Sequence, residues 1–167
     1  QIDANYYANP YNRGSVVNAL DVVVLSALEI DTDFNVNVLT GSDGVIRGAI
    51  GGHPDTAAGA ALTVVVCPLL RGRMPCVLDH VGTLVTPGST VDVLVTDQGV
   101  AVNPLRPDVK ARLEAAHIPL KDIQQLKAET EALTGKPDAV KFKDRIVGLV
   151  TYRDGSVIDV IRQIDED

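Results

Sequence analysis

Val22-Val23-Val24-Leu25-Ser26-Ala27 is an unbroken run of β-branched and small apolar residues, closed on one side by Asp21 and running on the other into Leu28-Glu29-Ile30-Asp31. A run of this kind reads as a strand buried on both faces, the pattern of a parallel sheet covered by helices, because alternation disappears when neither face meets water. Ala60-Ala61-Leu62-Thr63-Val64-Val65-Val66-Cys67 repeats the pattern, with a short helix expected over 54–61, where Pro54 is tolerated in a first turn. Strand, helix, strand in that order predicts an α/β fold.

Outward from this unit the signals stay regular. Ser15 to Leu20 has the spacing of a short helix. Glu29 to Val38 alternates around the Asp-rich turn 31–33, as a hairpin does. Pro75 to His80 and Val91 to Thr96 are two further strands, separated by Thr86-Pro87-Gly88-Ser89, and Gln98 to Val102 extends that sheet after a tight turn. Past Pro107 the period changes: Val109, Leu113 and Ala116 mark one helix, and Ile123, Leu126, Thr130 and Leu133 a second, stopped by Gly135 and Pro137. Ile146 to Tyr152 and Val157 to Ile164 then form a closing hairpin about Arg153-Asp154-Gly155-Ser156.

The 167 residues suffice for one domain or a large piece of a bigger one. Trp is absent and aromatics make up only 4%, which leaves the core to Val, Ile, Leu and Ala. A net charge of -7 without a Lys/Arg cluster argues against nucleic acid as a partner. The apolar stretches are too short to span a bilayer, so a cytoplasmic protein is expected, with Cys67 and Cys76 as buried thiols. The chain starts at Gln1 with an Asn/Tyr-rich segment that shows no obvious cap or strand, which suggests a cut within a longer polypeptide.

Three ordered blocks, Val24 to Asp31, Gly51-Gly52-His53-Pro54-Asp55, and Val95-Thr96-Asp97-Gln98-Gly99-Val100-Ala101, resemble the C-terminal half of acetyl-CoA hydrolases and transferases. The opening Tyr6-Tyr7-Ala8-Asn9-Pro10-Tyr11-Asn12-Arg13-Gly14-Ser15, with Arg106-Pro107-Asp108 and Leu133-Thr134-Gly135-Lys136-Pro137, resembles the citrate lyase α-subunit family more narrowly. The resemblance implies a NagB/RpiA/CoA-transferase-like sheet flanked by helices. Residues 1–167 would then be the C-terminal portion of a subunit about three times as long, its amino-terminal half absent. It also implies exchange of acetate for citrate on a thioester carried by an acyl carrier (γ) subunit. That carrier presents a CoA-like prosthetic group, no cofactor is bound covalently by this chain, and a lyase (β) subunit completes an oligomeric complex. A related acyl-CoA transferase or hydrolase, and a non-catalytic assembly half-domain, are the alternatives. The departures are His53, where the broader family has Gln, and Thr56, where it commonly has an aromatic residue.

Thioester exchange builds negative charge on oxygen, and the N–H groups of Gly51 and Gly52 could hold it, since glycine permits close approach and helix starts carry unpaired donors. A plain strand-to-helix turn is the alternative role for this pair. Asp55 is expected to cap the helix or shape the site, and His53 to donate to citrate or to the carrier's arm or to be a loop residue. Asn9, Tyr11 and Arg13 carry the amide, hydroxyl and guanidinium donors that a tricarboxylate needs, with a solvated helix-start charge as the alternative role for Arg13. Glu29, the only Glu in the first hundred residues, is read as a structural carboxylate, because the covalent nucleophile of resembling transferases belongs to an earlier segment. Asp79, His80, Asp97 and Gln98 are expected to be satisfied strand-end groups and His117 a structural or exposed residue. No ligand spacing suggests a metal.

Overall fold

The computed structural model describes residues 1–165. Its elements are α1 (Ala4–Ala8), a 3-10 turn (Val16–Ala19), β1 (Val22–Ser26), β2 (Glu29–Asp31), β3 (Val36–Asn37), α2 (His53–Gly59), β4 (Leu62–Val66), β5 (Leu70–Arg71), β6 (Met74–Pro75) and β7 (Val77–Leu78). A 3-10 turn (Gly88–Thr90), β8 (Val93–Thr96), β9 (Gly99–Val102), α3 (Pro107–Ala115), α4 (Ile123–Thr134), β10 (Phe142–Thr151) and β11 (Val157–Ile164) complete the chain. The main sheet runs β1-β4-β8-β9, with β1, β4 and β8 parallel and β9 antiparallel at the edge. A smaller sheet, β3-β2-β7, stands beside it, and β10 and β11 form a separate ribbon. The α/β class and the parallel strand–helix–strand unit agree with the sequence pattern.

One face of the main sheet is closed. Val65, Leu94 and Ala101 belong to a core shared with Ile30, Phe34, Val36, Leu69, Ile123 and Leu126, and Val23 and Thr63 are buried on the same face. The opposite face is open along β1 and at the end of β4, where Val22, Val24 and Val66 are 51%, 66% and 41% exposed. The two-sided burial expected for Val22 to Ala27 therefore holds on one side only, since nothing among the described residues lies over the other.

The Asp-rich turn is built by Asp31, whose carboxylate accepts from the N–H groups of Asp33, Asn35 and Val81 and holds buried Phe34 at a φ of 65°. Beside it Asn37, fully buried, donates to Glu29 Oε2 at 2.8 Å and to Thr40, and accepts from the N–H groups of Leu39 and Thr40. Glu29 is thus a structural carboxylate; Gly82 N–H adds a second donor to Oε2, and Oε1 is buried without a partner.

Two local expectations change. The strand expected from Pro75 to His80 splits at Cys76, because Cys76 N–H bonds back to Leu69 while its carbonyl accepts from Ile30 in the other sheet. The opening segment holds a helix after all, with Asp3 as its cap through Tyr6 N–H. At the other end Val150, with Ile158 and Ile161, packs on Leu39 and Val85, and Asp159 accepts from Leu84 N–H at 2.6 Å. These contacts fold the terminal ribbon back against the body.

Candidate functional site

The loop ahead of α2 turns sharply at Gly51, whose φ of +54° is a left-handed value that side chains adopt at a cost. Gly52 is the N-cap residue without a side-chain cap, and Thr56 Oγ1 bonds back to its carbonyl at 2.9 Å. Among the described residues neither the Gly51 nor the Gly52 N–H finds an acceptor. With only seven residues α2 adds little dipole, so what the turn offers is two unengaged donors.

Gly51 and Gly52 line a cleft of about 530 Å³ built from three parts of the chain. The end of α1 contributes Ala8, Asn9, Pro10 and Tyr11; the loop and α2 contribute Ile50, Gly51, Gly52, Pro54 and Asp55; the turn of the terminal hairpin contributes Thr151, Tyr152 and Arg153. Asn9 is fixed by its own turn, its Oδ1 accepting from Tyr11 N–H and its Nδ2 donating to Asn5. Partial burial pushes the Asp55 carboxyl above the ordinary carboxylate range, and Arg153, 3.9 Å away, only partly opposes this. Burial likewise raises the Tyr152 phenol.

The structure therefore brings Asn9, Tyr11, Gly51, Gly52 and Asp55 together and leaves two expected residues outside. Arg13 is exposed and does not line the cleft. His53 faces the other way, into a cavity of about 290 Å³ lined by Ser26, Ala27, Gly48 and Arg71. Its Nε2 lies 3.1 Å from the Ser26 carbonyl and its Nδ1 2.7 Å from Thr86 Oγ1. A carbonyl only accepts, so Nε2 carries the proton and the Thr86 hydroxyl donates to Nδ1. Burial lowers the His53 pKa, which keeps this neutral, stapling form. His53 thus positions the start of α2 against the end of β1, and both ring nitrogens are occupied in doing so.

The sequence places Thr151 to Arg153 only at the turn of the closing hairpin, and no local signal shows that this turn lands on α2. Of the strand-end groups, Asp79 pairs with Lys127 at 2.6 Å, and Asp97 accepts from Leu69 N–H at 2.7 Å and from Gln98 Nε2 at 3.3 Å, whereas His80 is exposed and has no hydrogen-bond partner among the described residues. His117 is exposed at a φ of 56° beyond α3. Chemically the cleft combines two free amide donors, one cation and one carboxyl that ionises reluctantly, an arrangement suited to holding an anionic, oxygen-rich molecule.

The citrate lyase α-subunit family profile matches residues 1–164. The chain is 60% identical over 164 residues to the citrate lyase alpha chain of Klebsiella pneumoniae and 58% identical over 166 residues to that of Escherichia coli, covering 98% and 99% of this chain. A citrate lyase α-subunit structure from Streptococcus mutans, determined in complex with citrate, superposes with a TM-score of 0.96 at 54% identity over 99% of the chain. In each case this chain spans 32% of the relative's length. With nearly every residue matched and this fold shared, the chain belongs to the citrate lyase α-subunit family.

Proposed function

We propose that this chain is the C-terminal portion of a citrate CoA-transferase subunit, with a NagB/RpiA/CoA-transferase-like arrangement completed by further polypeptide, and that its cleft receives the acids exchanged on a carrier thioester. The observation that carries the reading is the convergence of Asn9, Gly51, Gly52 and Asp55 on one cleft whose two loop N–H groups are unengaged. The citrate held by the Streptococcus relative adds support. A citrate carboxylate oxygen bonds to the acetyl carbonyl carbon and the carbon–sulfur bond breaks, giving a mixed anhydride and the carrier thiolate. The thiolate then attacks the citryl carbonyl and acetate leaves. Both attacks put charge on a carbonyl oxygen, which the Gly51 and Gly52 N–H groups would receive, and removing one such donor typically costs 10²–10³ in rate. The γ subunit would present the CoA-like thioester and the β subunit would cleave the citryl product, in a cytoplasmic complex. The open valine face of the main sheet favours a second role for this portion, as an assembly surface.

The test supplies the complete gene product with acetyl-loaded carrier and citrate and follows citryl-carrier by intact mass, with citramalate in parallel. Citryl-carrier that forms with the wild type and is lost in Gly52→Val is the expected result. No product with either acid would remove the transferase reading and leave assembly.

A further inference from the structure

Among the described residues only two arginines are not exposed, Arg106 and Arg153. Arg106 is saturated, paired with Asp92 at 2.6 Å and Asp108 at 3.0 Å and bonded to the Ala61 carbonyl. Arg153 is withdrawn from solvent further still, its side chain 19% exposed, yet its one ion-pair partner among the described residues is Asp55 at 3.9 Å, beyond hydrogen-bond range. A guanidinium presents five N–H donors in a fixed fork, and a sheltered one without acceptors has lost water contacts that nothing in the protein replaces. It also lies in the cleft wall across from the Gly51 turn.

We propose that Arg153 reads a carboxylate of the acceptor acid, pairing with it through the guanidinium fork, while Asp55 holds the empty guanidinium in the cleft and is displaced as a partner when the acid binds. This rests on the cleft being the acceptor-acid site and assigns the group that selects a di- or tricarboxylate over acetate. A monocarboxylate spends its single carboxylate at the reacting carbon and has none left for Arg153. Asp55, as the competing anion, opposes binding, so its removal favours the acid.

The experiment measures citrate binding to the complete gene product by titration calorimetry for the wild type, Arg153→Lys, Arg153→Gln and Asp55→Asn, with thermal melts as folding controls. Loss of a charge-assisted pair weakens citrate by about 10- to 100-fold in Arg153→Gln. Arg153→Lys keeps the charge near Asp55 and so the fold, and is expected to recover part of the affinity, because an ammonium lacks the fork. Asp55→Asn should bind citrate a few-fold tighter, a direction that a structural role for Asp55 would not give. Acetate competition should be equal in all four proteins. Wild type and Arg153→Gln binding citrate equally would overturn the assignment while leaving the cleft's function intact. A wild type that binds no acid would overturn the functional reading itself, and weakening in Asp55→Asn would make Asp55 a contact and not a competitor.

Discussion

His53→Ala removes a ring that bridges β1 and the 3-10 region through Ser26 and Thr86. Thr86 is fully buried, so its hydroxyl loses its acceptor without gaining water, whereas Ser26 is exposed and its carbonyl can be rehydrated. One stranded group at about 1–3 kcal/mol and one exchanged hydrogen bond at about 1 kcal/mol give a loss of about 2–4 kcal/mol near neutral pH. The pH dependence carries the sharper test. Burial lowers the native pKa of His53 below its ordinary 6.5, so on acidification the unfolded chain takes up the proton first. The stability due to the neutral ring is complete above 6.5 and declines as pH falls toward the native value, by at most about 1.4 kcal/mol per pH unit. The variant has no ring at position 53 to titrate, and every other group is common to both proteins. Urea denaturation followed by circular dichroism at about pH 7.5 and about pH 5.5 should therefore show the gap between wild type and His53→Ala narrowing in acid. A gap that stays constant or widens would refute the assignment of a neutral, stapling histidine.

Asn37→Ala strips Glu29 of its 2.8 Å donor and leaves the N–H groups of Leu39 and Thr40 unpaired, and is expected to cost about 4 kcal/mol or to prevent folding, as read from denaturant midpoints. Gly88→Ala places a Cβ 1.9 Å from the Asp33 carbonyl oxygen, a backbone atom that cannot swing aside, so a melt should fall by the equivalent of about 3 kcal/mol or more. The Cys67 thiol is pushed up to about 12 by burial and the Cys76 thiol is raised for the same reason, so neither should react with iodoacetamide until denaturant is added.

What the residues disclosed in advance was local. The hairpin over 29–38 follows from Asp31 at its turn, α2 from Pro54, and the stop of α4 from Gly135, which takes a φ of 73°. Each is decided within a few residues. The break at Cys76 was hidden because it depends on which of two sheets each of its backbone groups meets, and the apolar run 75–80 looks the same either way. The valine run of β1 signals two covered faces, but the covering material for one of them is absent from the described residues, and the related subunits are about three times as long. In the site, Gly51, Gly52 and Asp55 are close in sequence and were legible as one turn. Arg153 reaches them only because Val150 buries its side chain against Leu39 and Val85, a tertiary contact with no local signature.

The cleft joins α1, the α2 loop and the turn of the last hairpin, segments from near both ends of the described chain. Closing so long a loop is slow compared with forming the local strand and helix pairs, so the cleft should mature late in refolding, after most helical signal has returned. A bound acid would then act as a clasp between early-forming and late-forming parts, adding RT ln(1 + [L]/Kd) to the stability of the finished state. Recovery of acid binding should accordingly lag behind recovery of secondary structure and mark the moment at which the terminal ribbon docks.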